Sequence, residues 1–147
     1  MEQKETVILV AEDEPVVRNL VRLMLSKEGY AVLAAKDGQE ALEICRQFKD
    51  QIHLLLTDVR MPRMNGLDLA ERVLQKKPGI KVMMMSGETA DTILKENTPD
   101  AFLQKPFMPP TLISCVQRLL TSEFKGVCHE SNLQPNRNIQ NLKGKLA

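Results

Sequence analysis

The chain has 147 residues, of which 43% are hydrophobic, and a net charge of +1, which indicates a single domain with one apolar core. Acidic and basic residues are interspersed, which argues against a direct nucleic-acid-binding surface. No apolar run reaches the roughly 20 residues that span a membrane and the N-terminus lacks a signal-peptide pattern, so we expect a cytoplasmic protein without membrane contact.

Short apolar runs alternate with amphipathic segments in the first half of the chain. TVILVAED is rich in β-branched residues and predicts a first strand that is buried on both faces. From Pro15 the apolar residues recur at helical spacing as far as Gly29, which is a typical C-terminal cap. YAVLAA predicts a second strand, and KDGQEALEICRQF predicts a second helix after an Asp-Gly turn.

The alternation continues through the second half. HLLLTD and KVMMMSG predict the third and fourth strands, with GLDLAERVLQKK as the helix between them. ETADTILKEN (Glu88–Asn97) predicts a weak, polar fourth helix, AFLQK the fifth strand and PPTLISCVQRLLTSE (Pro109–Glu123) the fifth helix. Five successive β–α units predict an α/β fold with a doubly wound, five-stranded parallel sheet flanked by five helices.

The C-terminal end breaks this pattern. Residues 1–124 are predicted to form the domain. Residues 125–147 are polar, rich in asparagine and without periodicity, which indicates a disordered or loosely attached tail.

The cysteines suggest no disulfide framework. There are three of them, an odd number without CxxC spacing, which favours reduced thiols. Cys45 and Cys115 fall in helical patterns, so we expect them to be buried packing residues.

Polar groups follow four of the five predicted strands. The first strand ends in Glu12 and Asp13, the third in Asp58, the fourth in Ser86 and the fifth in Lys105. Because the carboxyl ends of parallel strands share one edge of a sheet, and ligands bind at that edge, we expect these side chains to meet.

The acids of this group suit a metal and a phosphoryl group. Two like charges about 4 Å apart repel by about 4 kcal/mol at an effective dielectric near 20, and a divalent cation such as magnesium would remove that penalty. A phosphoryl group carried on Asp58 would then have Lys105 and Ser86 as partners for its remaining oxygens. The loop VRMPRMNG would bring the backbone carbonyl of Arg60 to the metal.

Four segments in this order resemble the receiver domain of bacterial response regulators: VAEDEP, LLLTDVRMPRMNG, MMMSGE and FLQKPF. The resemblance covers Thr6–Ser122 and implies a flavodoxin-like, chemotaxis-regulator-like fold with strand order 2-1-3-4-5. It also implies that Asp58 is the phosphoacceptor and that Asp13 is a ligand to Mg²⁺ or Mn²⁺. Glu12, which stands where aspartate is usual, would act on the metal through water.

The resemblance also implies a switch. Ser86 takes the position of the hydroxyl that follows the phosphoryl group, and Lys105 is the residue that contacts it and precedes a cis proline, Pro106. Phe102 takes the position of the switch aromatic, although a tyrosine is usual there. The alternative is that Phe102 is a core residue without a switching role.

The implied function is that of a signalling switch rather than a turnover enzyme. A sensor histidine kinase or a histidine phosphotransfer protein would donate the phosphoryl group from a phosphohistidine. The surface of the fourth predicted helix, fifth strand and fifth predicted helix would then change shape. The resemblance also allows a dimer that forms on phosphorylation. One alternative is a phosphatase with an aspartate nucleophile, but Arg60 stands where its second aspartate is expected. The other is a receiver-like scaffold that does not use phosphate.

Overall fold

The structure, a computed structural model, describes residues 5–89, 99–121 and 126–128. Its strands are β1 (Val7–Ala11), β2 (Ala31–Ala35), β3 (Leu54–Asp58), β4 (Lys81–Ser86), β5 (Ala101–Gln104) and β6 (Gly126–Cys128). Its helices are α1 (Pro15–Lys27), α2 (Gly38–Gln47), α3 (Gly66–Lys76) and α4 (Pro109–Thr121), the last of which corresponds to the fifth predicted helix. Within these ranges, none of the helices combines the length and apolar content that crossing a bilayer requires.

The strands form one parallel sheet in the order β2-β1-β3-β4-β5-β6. The predicted α/β class and the order 2-1-3-4-5 are therefore confirmed, with a sixth strand added beyond β5. The fourth predicted helix, Glu88–Asn97, lies outside the described residues except for its first two positions.

Local sequence explains where the helices begin. The side chain of Asp37 accepts a hydrogen bond from the backbone N–H of Glu40 at the start of α2. Asn65 does the same for Asp68 at the start of α3, while α1 begins with a proline, whose missing N–H costs nothing in a first turn. These caps fix where each helix leaves the loop that follows a strand.

The core consists of two apolar layers, one on each face of the sheet. Side chains alternate along each strand, so that Met83 and Met85 pack towards α1 and α4 whereas Met84 packs towards α2 and α3. The methionine run is therefore core, as the sequence indicated. Full burial of such a side chain contributes about 1.5–3 kcal/mol, so the two layers stabilise the sheet. Because its strands are parallel, their carboxyl ends lie at one edge.

The strand β6 corrects two predictions. It lies in the segment that was expected to be a tail, and among the described residues the sheet has six strands rather than five. Three residues are too few to show an alternating pattern, so the sequence gives no sign of this strand. Residues 129–147 lie outside the described part of the chain.

The prediction of reduced thiols was wrong for two of the three cysteines. Cys115 of α4 and Cys128 of β6 form a disulfide. The odd count and the spacing did not reveal it, because this pairing depends on α4 and β6 meeting in space. Cys45 is free and buried, and Cys115 is buried as expected.

Candidate functional site

The loops after β1 and β5 and the last residue of β3 bring four charged side chains together. We call this group the carboxylate pocket: Glu12, Asp13, Asp58 and Lys105. Glu12 is fully buried and Asp58 is 8% exposed. Carboxylate oxygens of Glu12, Asp13 and Asp58 all lie within 4.8 Å of one another. The structure thus brings these four predicted side chains together at one edge of the sheet.

Lys105 joins two of the acids. Its Nζ lies 2.9 Å from Oε2 of Glu12 and 3.3 Å from Oδ2 of Asp58. The pocket therefore holds three acidic side chains and one ammonium, and with the acids ionised it has an excess of negative charge. Buried charge of this kind calls for a further cation, and oxygen ligands are those that a hard divalent ion prefers. The residues present thus fit a magnesium or manganese ion.

Burial sets the proton affinities of the pocket. Burial raises the pKa of Glu12 and of Asp58, and in both cases Lys105 opposes this rise without cancelling it. Burial alone would lower the pKa of Lys105, but its hydrogen bond to Glu12 and the charge of Asp58 outweigh burial and raise it. The ammonium form is therefore the stable form of Lys105 between these acids.

The backbone around Asp58 is held closely. The N–H of Arg60 donates to Oδ1 of Asp58 at 3.4 Å, and the N–H of Gly66 donates to the carbonyl of Val59 at 2.8 Å. A Cβ atom at position 66 would collide with the carbonyl group of Asp58. Glycine at the start of α3 therefore lets the helix pack directly against the backbone of the candidate phosphoacceptor.

The loops after β3 and β4 contact each other. The hydroxyl oxygen of Ser86, which is 1% exposed, accepts a hydrogen bond from the N–H of Glu88 at 3.0 Å. Nε of Arg60 lies 2.6 Å from Oε1 of Glu88, and this hydrogen bond lowers the pKa of Glu88. The N–H of Lys105 donates to the carbonyl of Ser86 at 2.8 Å, so the loops after β4 and β5 are joined as well.

The remaining predicted positions are Pro106 and Phe102. The Lys105–Pro106 peptide bond is cis. Phe102 is 1% exposed and packs in the apolar layer that includes Met84 and Val127. This packing matches the core alternative of the sequence analysis, while a switching role for Phe102 stays a prediction.

Three residues that the sequence analysis did not single out belong to the site. Glu88 pairs with Arg60, Gly66 packs on the backbone of Asp58, and Arg18 donates from Nη1 to the carbonyl of Glu12 at 2.8 Å. Gly66 ends the VRMPRMNG stretch and begins α3, but nothing in that sequence indicates its contact with the backbone of Asp58. Arg18 and Glu88 stand out only when the loops are seen in three dimensions.

Comparison with known proteins gives consistent matches. A family model described as "Response regulator receiver domain" matches residues 8–117. The response regulator RR06 of Streptococcus pneumoniae is 36% identical over 116 residues, which are 77% of this chain and 52% of that protein. The sensor kinase CckA of Brucella abortus is 34% identical over 119 residues, which are 79% of this chain and 13% of the kinase.

Solved structures agree with the sequence matches. The chemotaxis response regulator CheY4 of Vibrio cholerae superposes with a TM-score of 0.73 and 30% identity, covering 80% of this chain and 100% of that chain. This chain spans about half the length of the response regulators RR06, MtrA and ResD. The similarity therefore concerns the βα domain that these longer proteins include.

Proposed function

Since this chain belongs to the response regulator receiver domain family, and so has a phosphoacceptor role in two-component signal transduction, we propose that Asp58 is the carboxylate that receives the phosphoryl group. The observation that carries this assignment is the contact of Lys105 Nζ with both Asp58 and Glu12, with Asp13 close by. Asp58 is the central carboxylate of the pocket, since it lies at the end of β3, beside β1 and β4.

The chemistry requires one bond to form and one to break. An oxygen of Asp58 forms a bond to phosphorus as the bond from phosphorus to the donor imidazole nitrogen breaks, and the imidazole keeps the electron pair and takes up a proton. The ammonium of Lys105 stabilises charge on the phosphoryl oxygens. The hydroxyl of Ser86 already accepts from the N–H of Glu88, which leaves its own proton to donate to another phosphoryl oxygen.

Glu12, Asp13 and Asp58 are the side chains that would hold a magnesium or manganese ion, and the backbone carbonyl of Arg60 is proposed as a further ligand. When bound, the ion supplies positive charge to the attacking carboxylate and to the incoming phosphoryl oxygens. Arg18 supports this arrangement, because its contact with the carbonyl of Glu12 fixes the backbone that presents the two acids of the first loop.

The donor is proposed to be a phosphohistidine on a sensor histidine kinase or phosphotransfer protein. A surface for it lies next to the pocket, on α1, which begins two residues after Asp13. Val16, Leu20 and Leu23 recur at helical spacing and are 77%, 50% and 57% exposed. Apolar side chains grouped on an exposed helix face are typical of a protein-binding surface.

This docking surface can be tested separately from the chemistry. Leu20→Glu should slow phosphotransfer from a phosphohistidine protein, while labelling by the small donor phosphoramidate stays unchanged. Leu74→Glu, at another exposed leucine on α3, is the matched control and should leave both rates unchanged. Equal slowing with both donors would place the effect of Leu20 in the pocket and contradict a docking role.

Phosphorylation is proposed to change the surface formed by β5, α4 and the segment Glu88–Asn97. If the Ser86 hydroxyl moves towards the phosphoryl group, space opens beside β4 and Phe102 can reorient. Beryllofluoride, which mimics the phosphoryl group, should therefore shift the NMR signals of the Phe102 ring in the wild type but not in Ser86→Ala. Identical shifts in both proteins would show that the hydroxyl does not control the switch.

The phosphoacceptor assignment is tested by chemical labelling. Incubation with acetyl phosphate and magnesium should add one phosphoryl group that hydroxylamine removes, and Asp58→Asn should not be labelled. Asp68→Asn, at an exposed aspartate on α3, is the control and should be labelled like the wild type. Full labelling of Asp58→Asn would place the phosphoacceptor elsewhere.

The phosphatase alternative is disfavoured by one residue. Arg60 occupies the place two residues after the nucleophile where a general acid would stand, and its side chain pairs with Glu88. We therefore propose slow loss of the phosphoryl group to water rather than turnover of phosphate esters. If the chain hydrolyses a generic phosphate ester steadily, with more than one turnover within the lifetime of the phosphorylated aspartate, the result would favour the phosphatase.

The second alternative is the phosphate-independent scaffold. A chain that no phosphoryl donor labels would favour it.

A further inference from the structure

The edge of the sheet beyond β5 is covered by the C-terminal strand. β6 pairs with β5 in parallel, with Ala101 opposite Gly126 and Leu103 opposite Cys128. The N–H of Gly126 donates to the carbonyl of Asp100 at 3.1 Å. Val127 is 3% and Cys128 is 6% exposed. We call β5, β6 and the Cys115–Cys128 disulfide the C-terminal edge.

The register of β6 places its cysteine against α4. Val127 packs in the apolar layer that includes Phe102, whereas Cys128 packs in the opposite layer with Leu103 and Cys115. The Cα atoms of Cys115 and Cys128 are 6.2 Å apart, which is within the range that a disulfide spans. A shift of one residue would turn Cys128 to the other face, so the disulfide and this register require each other.

The pairing of β6 by itself is weak. A strand of three residues forms few backbone hydrogen bonds, and edge segments with few contacts open locally at low cost. Such opening gives a reductant access to sulfur atoms that are otherwise buried. If β6 leaves, the outer N–H and C=O groups of β5 lose their partners and become an open sheet edge, which is where other strands add.

We propose that Cys115 and Cys128 are a redox-controlled modification site that closes and opens the C-terminal edge. The oxidant is a low-molecular-weight disulfide such as oxidised glutathione: both protein thiols give up their protons, the sulfur–sulfur bond forms, and the oxidant is reduced to two thiols. A dithiol reverses the reaction, since each protein sulfur takes up a proton and the dithiol becomes a disulfide. This site does not depend on phosphorylation of Asp58.

The oxidation state of the two cysteines decides whether β5 is covered by β6. β5 ends one residue before Lys105, and Phe102 lies within it opposite Val127. In the oxidised chain β5 is an inner strand between β4 and β6. In the reduced chain β5 is an edge strand, free to exchange its amides with water and to pair with another strand.

The experiment uses the full chain, incubated with oxidised glutathione or with dithiothreitol. Intact mass should show the loss of two hydrogen atoms on oxidation, and peptide mapping should join Cys115 to Cys128. Amide hydrogen exchange in β5 and β6 should be at least about tenfold faster in the reduced chain. Exchange in β2, which forms the opposite edge of the sheet, should not change.

Variants separate the effect of the Cys115–Cys128 disulfide from general effects on stability. Cys128→Val keeps an apolar side chain at the site and should show the fast β5 exchange in both reagents, with β1 and β3 protected as in the wild type. Cys45→Ser removes the free cysteine and should keep the full redox response, and Asp58→Asn should keep it as well. Failure to form the Cys115–Cys128 cross-link would overturn the proposal, as would equal β5 exchange in the oxidised and reduced chains.

Discussion

The carboxylate pocket and the C-terminal edge both adjoin β5, but different forces hold them. In the pocket, Lys105 contacts Glu12 and Asp58 through ionic hydrogen bonds, which depend on protonation and on added cations. At the edge, β6 is held by a short ladder, apolar burial and the Cys115–Cys128 disulfide, which depends on thiol oxidation. The pocket should therefore respond to magnesium but not to dithiothreitol, and the C-terminal edge to dithiothreitol but not to magnesium.

The largest effect on stability is expected at the edge. Cys128→Val removes a disulfide with a sequence separation of 13 residues, and loss of a cross-link of about this length lowers the free energy of unfolding by about 3 kcal/mol. Urea unfolding without reductant measures the difference. In dithiothreitol the wild type should lose the same stability and match the variant. A difference that persists in dithiothreitol would show that packing of the cysteine, and not the cross-link, is responsible.

The next effect concerns the backbone of the pocket. Gly66→Ala places a Cβ against the carbonyl of Asp58, and such overpacking should lower the free energy of unfolding by about 2 kcal/mol and slow labelling of Asp58. Gly79→Ala is the matched control, because nothing lies within 4 Å of its Cβ position. Equal stability of the two variants would mean that α3 can shift away from Asp58 without cost.

Magnesium should stabilise the pocket and leave the edge unchanged. We expect a dissociation constant in the millimolar to submillimolar range, which corresponds to a binding free energy of roughly −4 to −6 kcal/mol. At a magnesium concentration about ten times this constant, binding to the folded chain alone raises the free energy of unfolding by about 1.4 kcal/mol. Asp13→Asn should remove most of this gain, and Asp68→Asn should keep it. Equal stabilisation of both variants by magnesium would contradict a site that includes Asp13.

These two regions also differ in how far the sequence predicted them. Asp58, Ser86 and Lys105 could be placed at one edge because each stands at the end of a predicted strand, and parallel strands bring their ends together. The sequence could not predict which atoms contact each other, because the contact of Lys105 with Glu12 as well as Asp58 depends on side-chain conformation. The same holds for the pairing of Arg60 with Glu88, whose residues lie in different loops.

The C-terminal edge was missed for a physical reason. Gly126, Val127 and Cys128 stand in a polar segment, and three residues carry no period that separates a strand from a loop. Their pairing depends on an open edge at β5 and on Cys115 facing it from α4. Both conditions are properties of the assembled sheet, so no local pattern records them.

A pH titration in the absence of divalent cations isolates the ionic region. Because burial raises the pKa of Glu12 and Asp58, the folded chain holds protons on these acids that the unfolded chain has released. The stability that these two acids contribute is therefore fully present at pH values below the ordinary carboxyl pKa of about 4. It is lost as the pH rises through their pKa values in the folded chain. Lys105, whose pKa is also raised, titrates only in the alkaline range.

Asp58→Asn removes one of the two acids, so its free energy of unfolding relative to the wild type should increase as the pH rises from about 4 to 7. Urea unfolding in the presence of a chelator measures this trend. The wild type gaining stability relative to Asp58→Asn over the same range would show that Lys105 lowers the pKa of Asp58 more than burial raises it.

The smallest effect is expected at the exposed ion pair between Arg60 and Glu88. Arg60→Met and Glu88→Gln each break the contact between the loops after β3 and β4. Each should shorten the lifetime of the aspartyl phosphate by no more than about threefold, because exposed ion pairs contribute little. The double variant should be no worse than either single variant, since both remove one interaction. Additive effects would mean that the two side chains act separately.

The most direct test of the account locates the phosphoryl group chemically in the unaltered chain. After reaction with phosphoramidate and magnesium, borohydride converts an aspartyl phosphate to homoserine, and peptide mass spectrometry identifies the converted residue. The account predicts conversion at Asp58, in the peptide that contains the sequence LLLTDVR, in both the oxidised and the reduced chain. Conversion at Asp13 or at any other carboxylate, with Asp58 intact, would contradict it.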